Sequence, residues 1–401
     1  MEFADFYPPS LIVFLPVAGA LLIAILPGLN SGAIKRIAAF FTFASFALSL
    51  AMFCLFDRSD SGFQFVESVS WIPQINVHYH IGVDGLSMPL VILTTLLGFL
   101  SVFVSWRIEL RPREYFAWLL VLESSILGVF CSLDLLLFFL FWEVEVIPMY
   151  FLISIWGGGR RAYSAIKYVI YTMFGGAMML AGILTLYATA GTFDMTVLAE
   201  TDFGGVVAVI PLAATFWLIL TAFAIKLPVF PLHTWLPDAH TDAPTAVSVM
   251  LAGSLLKMGG YGMIRVCVTI FPDVARDYAH ILVILAVIGI LYGAAVTIRQ
   301  TDLKRLIAYS SVSHMGSVLL GIFALGQVSL VGASLWQATQ TGTRFTGADL
   351  RQTFGLQLGV LDSNEEHVNL SGLSLRGRTF RLDLSFANLS AADLTNTNLS
   401  Q

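Results

Sequence analysis

Charge is what this chain has least of. Asp, Glu, Lys and Arg make up 12% of its 401 residues, about half the share of a soluble domain. So few charges cannot cover a globule of this size, so lipid must do the covering, and a soluble enzyme is excluded. Basic residues form no stripe and the net charge is −5, which excludes a nucleic-acid binder. The apolar content excludes a disordered chain. Cysteine is scarce too: Cys54, Cys131 and Cys267 stand singly and no CxxC occurs, which argues against a disulfide framework, an iron–sulfur site or a zinc knuckle. The opening MEFADFYPPS lacks a basic stretch, so the first apolar run reads as a retained span rather than a cleaved signal.

What remains is apolar: 57% of residues are hydrophobic and mean hydropathy is +0.82. A spanning helix needs about 20 such residues. Ten candidates lie near 11–28, 36–56, 88–106, 116–133, 135–156, 163–190, 210–230, 244–271, 279–298 and 303–325. Lys35/Arg36, Arg107/Arg111/Arg113, Arg160/Arg161 and Arg299/Lys304/Arg305 fall in every second connection. The alternation places those connections inside and the N-terminus outside. The connection PLHTWLPDAHTDAP should be inside yet has no Lys or Arg. It reads as irregular backbone buried within protein at membrane depth.

The fold class expected is therefore an all-α polytopic membrane protein of about ten spans over residues 1–326. From Gln327 a five-residue period replaces the apolar runs. Leu330, Leu335, Phe345 and Leu350 keep one register, and Leu384, Leu389, Leu394 and Leu399 another. Small residues sit two before many of these centres. A short fixed period of this kind is a solenoid signature, against the plainer alternative of a disordered polar tail. Residues 327–401 resemble the pentapeptide-repeat family, whose repeats coil into a β-helix.

A charged residue in mid-span costs about 2.5–3.5 kcal/mol on insertion scales. Glu123, Glu143, Lys226 and Lys257 occupy such positions and are candidates to pair across a bundle interior. Structural ion pairing or snorkelling to headgroups is the alternative; Lys167, near a span end, suits snorkelling. A buried acid and base that offset one another's desolvation can exchange protons near neutral pH, as a proton relay requires. Glu145 reads equally as a second relay acid or a helix-interface residue. Pro228 and Pro231 follow Lys226 and should break the helix just after it, leaving half-helix ends around a polar site. His233, His240 and His314 read equally as relay members or as satisfied buried donors. Their spacing does not favour a haem.

These segments resemble a known family. FWEVEVIPMYFLISIWG, AIKYVIYT, FAIKLPVFPLHTWLPDAHTDAPTAVSVMLAGSLLKMGGYGMIR and IRQTDLKRLIAYSSVSHMG resemble the proton-conducting membrane subunits of respiratory complex I. Within that group the subunit M (chain 4) pattern is the most similar; plastid-type chain 4 and the D subunit of multisubunit Na⁺/H⁺ antiporters look closely alike. The resemblance implies an antiporter-like helical bundle. It implies that Glu143 is the essential fifth-span acid, Lys226 the broken-helix lysine, Lys257 the eighth-span lysine, Glu123 the fourth-span acid and His314 a tenth-span polar position. It implies no cofactor in this chain, with NADH, FMN, iron–sulfur clusters and quinone held by partner subunits of complex I. It also implies a bacterial inner membrane or a thylakoid-type membrane. Members have about fourteen spans in two inverted five-helix repeats. Here the first repeat is complete and the second stops after two helices, so the expectation is a truncated chain holding the intake half of a proton path. Two other functions stay open: a cation/proton antiporter subunit, and a non-pumping remnant whose tail is an interaction scaffold.

Overall fold

A computed structural model describes residues 8–60, 62–201, 203, 210–324, 334–341 and 354–360. The chain divides into two compact units, Met1–Leu320 and Gly321–Gln401. Within the first, nine helices among the described residues are long and apolar enough to cross a membrane. In chain order the helices are α1 (Pro8–Ile25), α2 (Ser31–Leu55), α3 (Ser87–Val104), α4 (Pro112–Cys131), α5 (Leu135–Val144), α6 (Val146–Trp156), α7 (Arg161–Ala190), α8 (Met195–Glu200), α9 (Leu212–Lys226), α10 (Trp235–Asp242), α11 (Thr245–Met250), α12 (Leu256–Gly262), α13 (Pro272–Ile298) and α14 (Leu303–Ala324). Helices α5 and α6 form one span, as do α11 and α12 with their flanking turns. Helix α9, with 15 residues, is the shortened seventh span expected from the sequence.

The bundle wraps around α4. Helix α4 and the Thr245–Val268 span are the most enclosed, whereas α13 is mostly exposed. Ile284, Leu291 and Ile298 on α13, and Ile170, Met173 and Phe174 on α7, stand in the open. Apolar faces of that extent suit lipid or a partner helix rather than water.

Three features escaped the sequence reading. The connection between α2 and α3 is not a loop but an antiparallel hairpin, β1 (Gln64–Ile72) and β2 (Val77–Val83). It is pinned to neighbouring helix ends: the His78 amide donates to Asp134 at 3.2 Å, and His80 Nδ1 lies 3.0 Å from Asp194. Those two aspartates also cap α5 and α8. The fifth span is bent, because α5 ends at Val144 and α6 begins at Val146. Pro148 explains the bend: it has no N–H to offer the Val144 carbonyl four residues back, and its ring clashes there. The eighth span is locally underwound, with wider π-helical turns at Leu251–Leu255 and Met263–Val268 on either side of α12.

In the second unit, β3 (Ser334–Thr341) and β4 (Phe354–Val360) pair in parallel. The pentapeptide-like run from Leu370 to Leu399 lies outside the described residues.

Candidate functional site

The break after Lys226 organises the centre of the first unit. Pro228 cannot donate to the Ala224 carbonyl, and the Val229 amide takes that acceptor instead at 2.8 Å. The next carbonyl, Ile225, receives the Trp235 indole N–H at 2.8 Å. Both backbone acceptors freed at the break are thus satisfied within protein, which a buried helix end requires. The chain then turns through α10, whose Trp235 and His240 are buried.

That connection, without Lys or Arg of its own, borrows cations from other helices. Asp238 on α10 pairs with Lys167 at 2.7 Å and Arg160 at 3.8 Å. Lys304 on α14 donates to the Ala243 carbonyl at 2.8 Å and the Thr241 carbonyl at 3.3 Å. Lys167 therefore does not snorkel free; it holds the broken segment.

Lys226 itself is 1% exposed and forms an ion pair with Glu145, which is fully buried. The Tyr168 hydroxyl of α7 reaches both Glu145 oxygens at 2.7 and 2.8 Å and accepts from Lys226 at 3.3 Å. The ammonium also sits over the Trp142 ring (5.3 Å) and the Tyr168 ring (5.5 Å), where the π-face quadrupole favours a cation. The base, acid and hydroxyl come from three separate spans, brought together by the bend at Glu145 and the end of α9. Sequence reasoning left Glu145 undecided and did not single out Tyr168. A Tyr on the α7 face toward the bend is hard to single out from spacing alone.

Glu143 lies on the other side of the bend. It packs against Gly176 of α7, near enough to Lys226 for their charges to interact. Its Oε1 is buried with no hydrogen-bond partner among the described residues. The bend thus offers one lysine two carboxylates, of which one is engaged. Lys257 in α12 turns its ammonium back to the Ala252 carbonyl, and Gly259, two residues on, packs against Leu227 just past the break. Glu123 is 1% exposed, faces Gly98 of α3, and both its oxygens lack partners among the described residues. Buried carboxylate oxygens left unpaired are costly. The rings of His233 and His240 are buried, and neither Nδ1 finds a partner among the described residues. His314 instead lies on the exposed face of α14, apart from the Lys226 cluster.

Comparison with known proteins then identifies the group. The family described as NADH:quinone oxidoreductase/Mrp antiporter, transmembrane, matches residues 132–390. The chain belongs to this family. Chain 4 of NAD(P)H-quinone oxidoreductase from Nostoc sp. is 43% identical over 84% of this chain and 62% of its own length. Subunit M of NADH-quinone oxidoreductase from Rhodobacter capsulatus is 43% identical over 81% of this chain and 65% of its own. The chain thus spans a little under two thirds of the length of these curated relatives. Among solved structures, a chain of respiratory complex I from Thermus thermophilus superposes with a TM-score of 0.70 at 30% identity, over 79% of this chain and 64% of that one. A chain of the Mrp complex from Dietzia sp. shares the fold, with a TM-score of 0.67. The antiporter-like bundle expected from the sequence is therefore the fold observed. Among the described residues no three His, Cys, Asp or Glu side chains gather as a metal ion would require.

Proposed function

We propose that this chain is a membrane-arm subunit of a proton-translocating NAD(P)H–quinone oxidoreductase, in a bacterial inner membrane or a thylakoid-type membrane. The observation that carries the reading is the Lys226–Glu145–Tyr168 cluster, closed over the end of a broken helix, in a chain 43% identical to chain 4 and subunit M. The subunit does no redox chemistry and has no activity alone. NADH, FMN, iron–sulfur clusters and quinone belong to partner subunits of the complex.

Its own chemistry is proton transfer. With Lys226 held by Glu145, the ammonium is stabilised by a carboxylate, a hydroxyl and two ring faces. Movement of Lys226 toward Glu143 would leave Glu145 with only Tyr168 and raise its proton affinity. Electron transfer elsewhere would drive that exchange through neighbouring helices. Glu123 and Lys257 are the further stations we assign on the path, and His314 marks its far side on α14. The described helices supply the intake half.

The test is proton pumping in membranes of a strain whose only chain-4 subunit is this one, with NADH oxidation as the check on assembly. Pumping that persists and falls with Glu143→Ala or Lys226→Ala supports the reading. Pumping indifferent to both, with NADH oxidation intact, overturns it. The family also takes in Mrp antiporters, so sodium-dependent proton uptake without NADH is the result that would favour a cation/proton antiporter subunit.

A further inference from the structure

Along α12 and the π-helical turn that follows it, Lys257, Tyr261 and Arg265 recur every four residues and so share one face. Lys257 turns toward Ala252, in the direction of the basic connections. Arg265 faces the hairpin end. Its guanidinium lies 2.7 Å from Asp84, its Nε donates to the Tyr261 hydroxyl at 3.2 Å, and that hydroxyl donates to the Phe130 carbonyl at 3.2 Å. The rings of Phe63 (4.8 Å) and Tyr261 (5.2 Å) flank it. Beyond Asp84 a cleft of about 460 Å³ opens, lined by Phe56, Arg58, Asp60 and Leu86 among others. Water on the hairpin side therefore comes up to Asp84, and the guanidinium is the next polar group inward.

Resting on the proton-transfer reading above, we propose that Arg265, clamped by Asp84 and Tyr261, is the seal that keeps protons at Lys257 from escaping to the hairpin side. A guanidinium never gives up its proton at working pH, so it cannot pass one along; it repels a second positive charge instead, as fixed arginines do in pores that exclude protons. Eight residues separate Lys257 from Arg265, roughly 12 Å of helix rise. At an effective dielectric of about 20 the repulsion across that gap slows passage about tenfold. Tyr261 leaves no open wire around it, because its hydroxyl proton is already committed to the Phe130 carbonyl.

The experiment is passive proton leak into proteoliposomes of the purified full chain, driven by a potassium diffusion potential and read with an internal pH dye, without NADH. Arg265→Gln should raise the leak about tenfold over the wild type. Arg265→Lys, which keeps the charge, should restore most of the seal, and Lys257→Met added to Arg265→Gln should lower the leak again. If Arg265→Gln does not fold, Asp84→Asn, which loosens the clamp, should raise the leak in the same direction. A leak unchanged in every variant that folds overturns the proposal. So does a loss of pumping without any leak, which would make Arg265 and Asp84 part of a route rather than a barrier. Failure of the functional reading is separate, since it would show in wild-type pumping with redox partners and not in this leak.

Discussion

The Lys226–Glu145 pair makes the sharpest quantitative claim, because both side chains are almost fully removed from solvent. Removing one partner of a buried pair strands the other charge and costs about 3–5 kcal/mol. In Glu145→Leu the stranded ammonium keeps Tyr168 and two ring faces, and the rings return about 1–2 kcal/mol. The expected loss is therefore about 1–4 kcal/mol. Lys226→Met strands Glu145 instead, with Tyr168 as its hydrogen-bond donor, and a similar loss follows. Replacing both with apolar residues, Glu145→Leu and Lys226→Met, should cost far less than the sum, since the desolvation of both ions is relieved together. A double-mutant cycle on denaturant unfolding of the full chain in detergent micelles would read this as a coupling of about 2–3 kcal/mol. The coupling should hardly change between low and high salt, because buried charges are poorly screened. A coupling below about 0.5 kcal/mol would refute the pair, and strong salt dependence would place it in water.

Three further outcomes follow from the packing. A Cβ at Gly259 would lie 2.7 Å from the Leu227 amide nitrogen and 2.8 Å from the Phe223 carbonyl oxygen; neither backbone atom can yield easily, so Gly259→Ala should lose about 1–3 kcal/mol from overpacking despite a helix-propensity gain of up to ~1 kcal/mol, read as a lower thermal midpoint. Trp235→Phe leaves the Ile225 carbonyl without its donor and should cost about 1–3 kcal/mol by the same measurement, whereas Trp217→Phe, whose indole holds no carbonyl among the described residues, serves as the control. Burial pushes the Asp194 carboxyl up, but hydrogen bonds from His80 and Thr196 outweigh it and hold it below the usual carboxylate range. Its stabilisation is thus complete above the unfolded carboxylate pKa of about 3.9 and is lost as pH falls through the lower folded value, so protease cutting at the β1–β2 hairpin should quicken in strong acid, and Asp194→Asn should quicken it already at neutral pH.

What could be read from the sequence followed the physics that a membrane enforces. All ten apolar runs became helices, because lipid tolerates few other backbones. The break after Lys226 was legible because two prolines follow it within five residues. The bend at Glu145 has the same cause, a proline, but Pro148 sits three residues beyond the acid and its effect falls four residues back, so the spacing hid it. That concealment is why Glu145 read equally as a second relay acid or a helix-interface residue. The hairpin was missed for another reason: its strands carry Glu67, His78 and His80 among apolar residues, and charge in a connection masked the alternation of VHYHIGV. The π-helical turns around α12 have no signature in composition at all. They lie where α3 and α9 pack closely on that span, with a Thr94–Ser254 hydrogen bond at 3.1 Å and Phe223 against Gly262.

The bond from Lys304 to Ala243 joins residues 61 positions apart. At about 5–20 residues per second, a ribosome makes that lysine roughly 3–12 s after the carbonyl it will cap. Until α14 arrives, the C-terminal end of α10 lacks this cap while already beside the membrane. The broken segment therefore reaches its final shape late in synthesis, and the site around Lys226 is finished by a helix that contributes no acid or base to the Lys226 cluster.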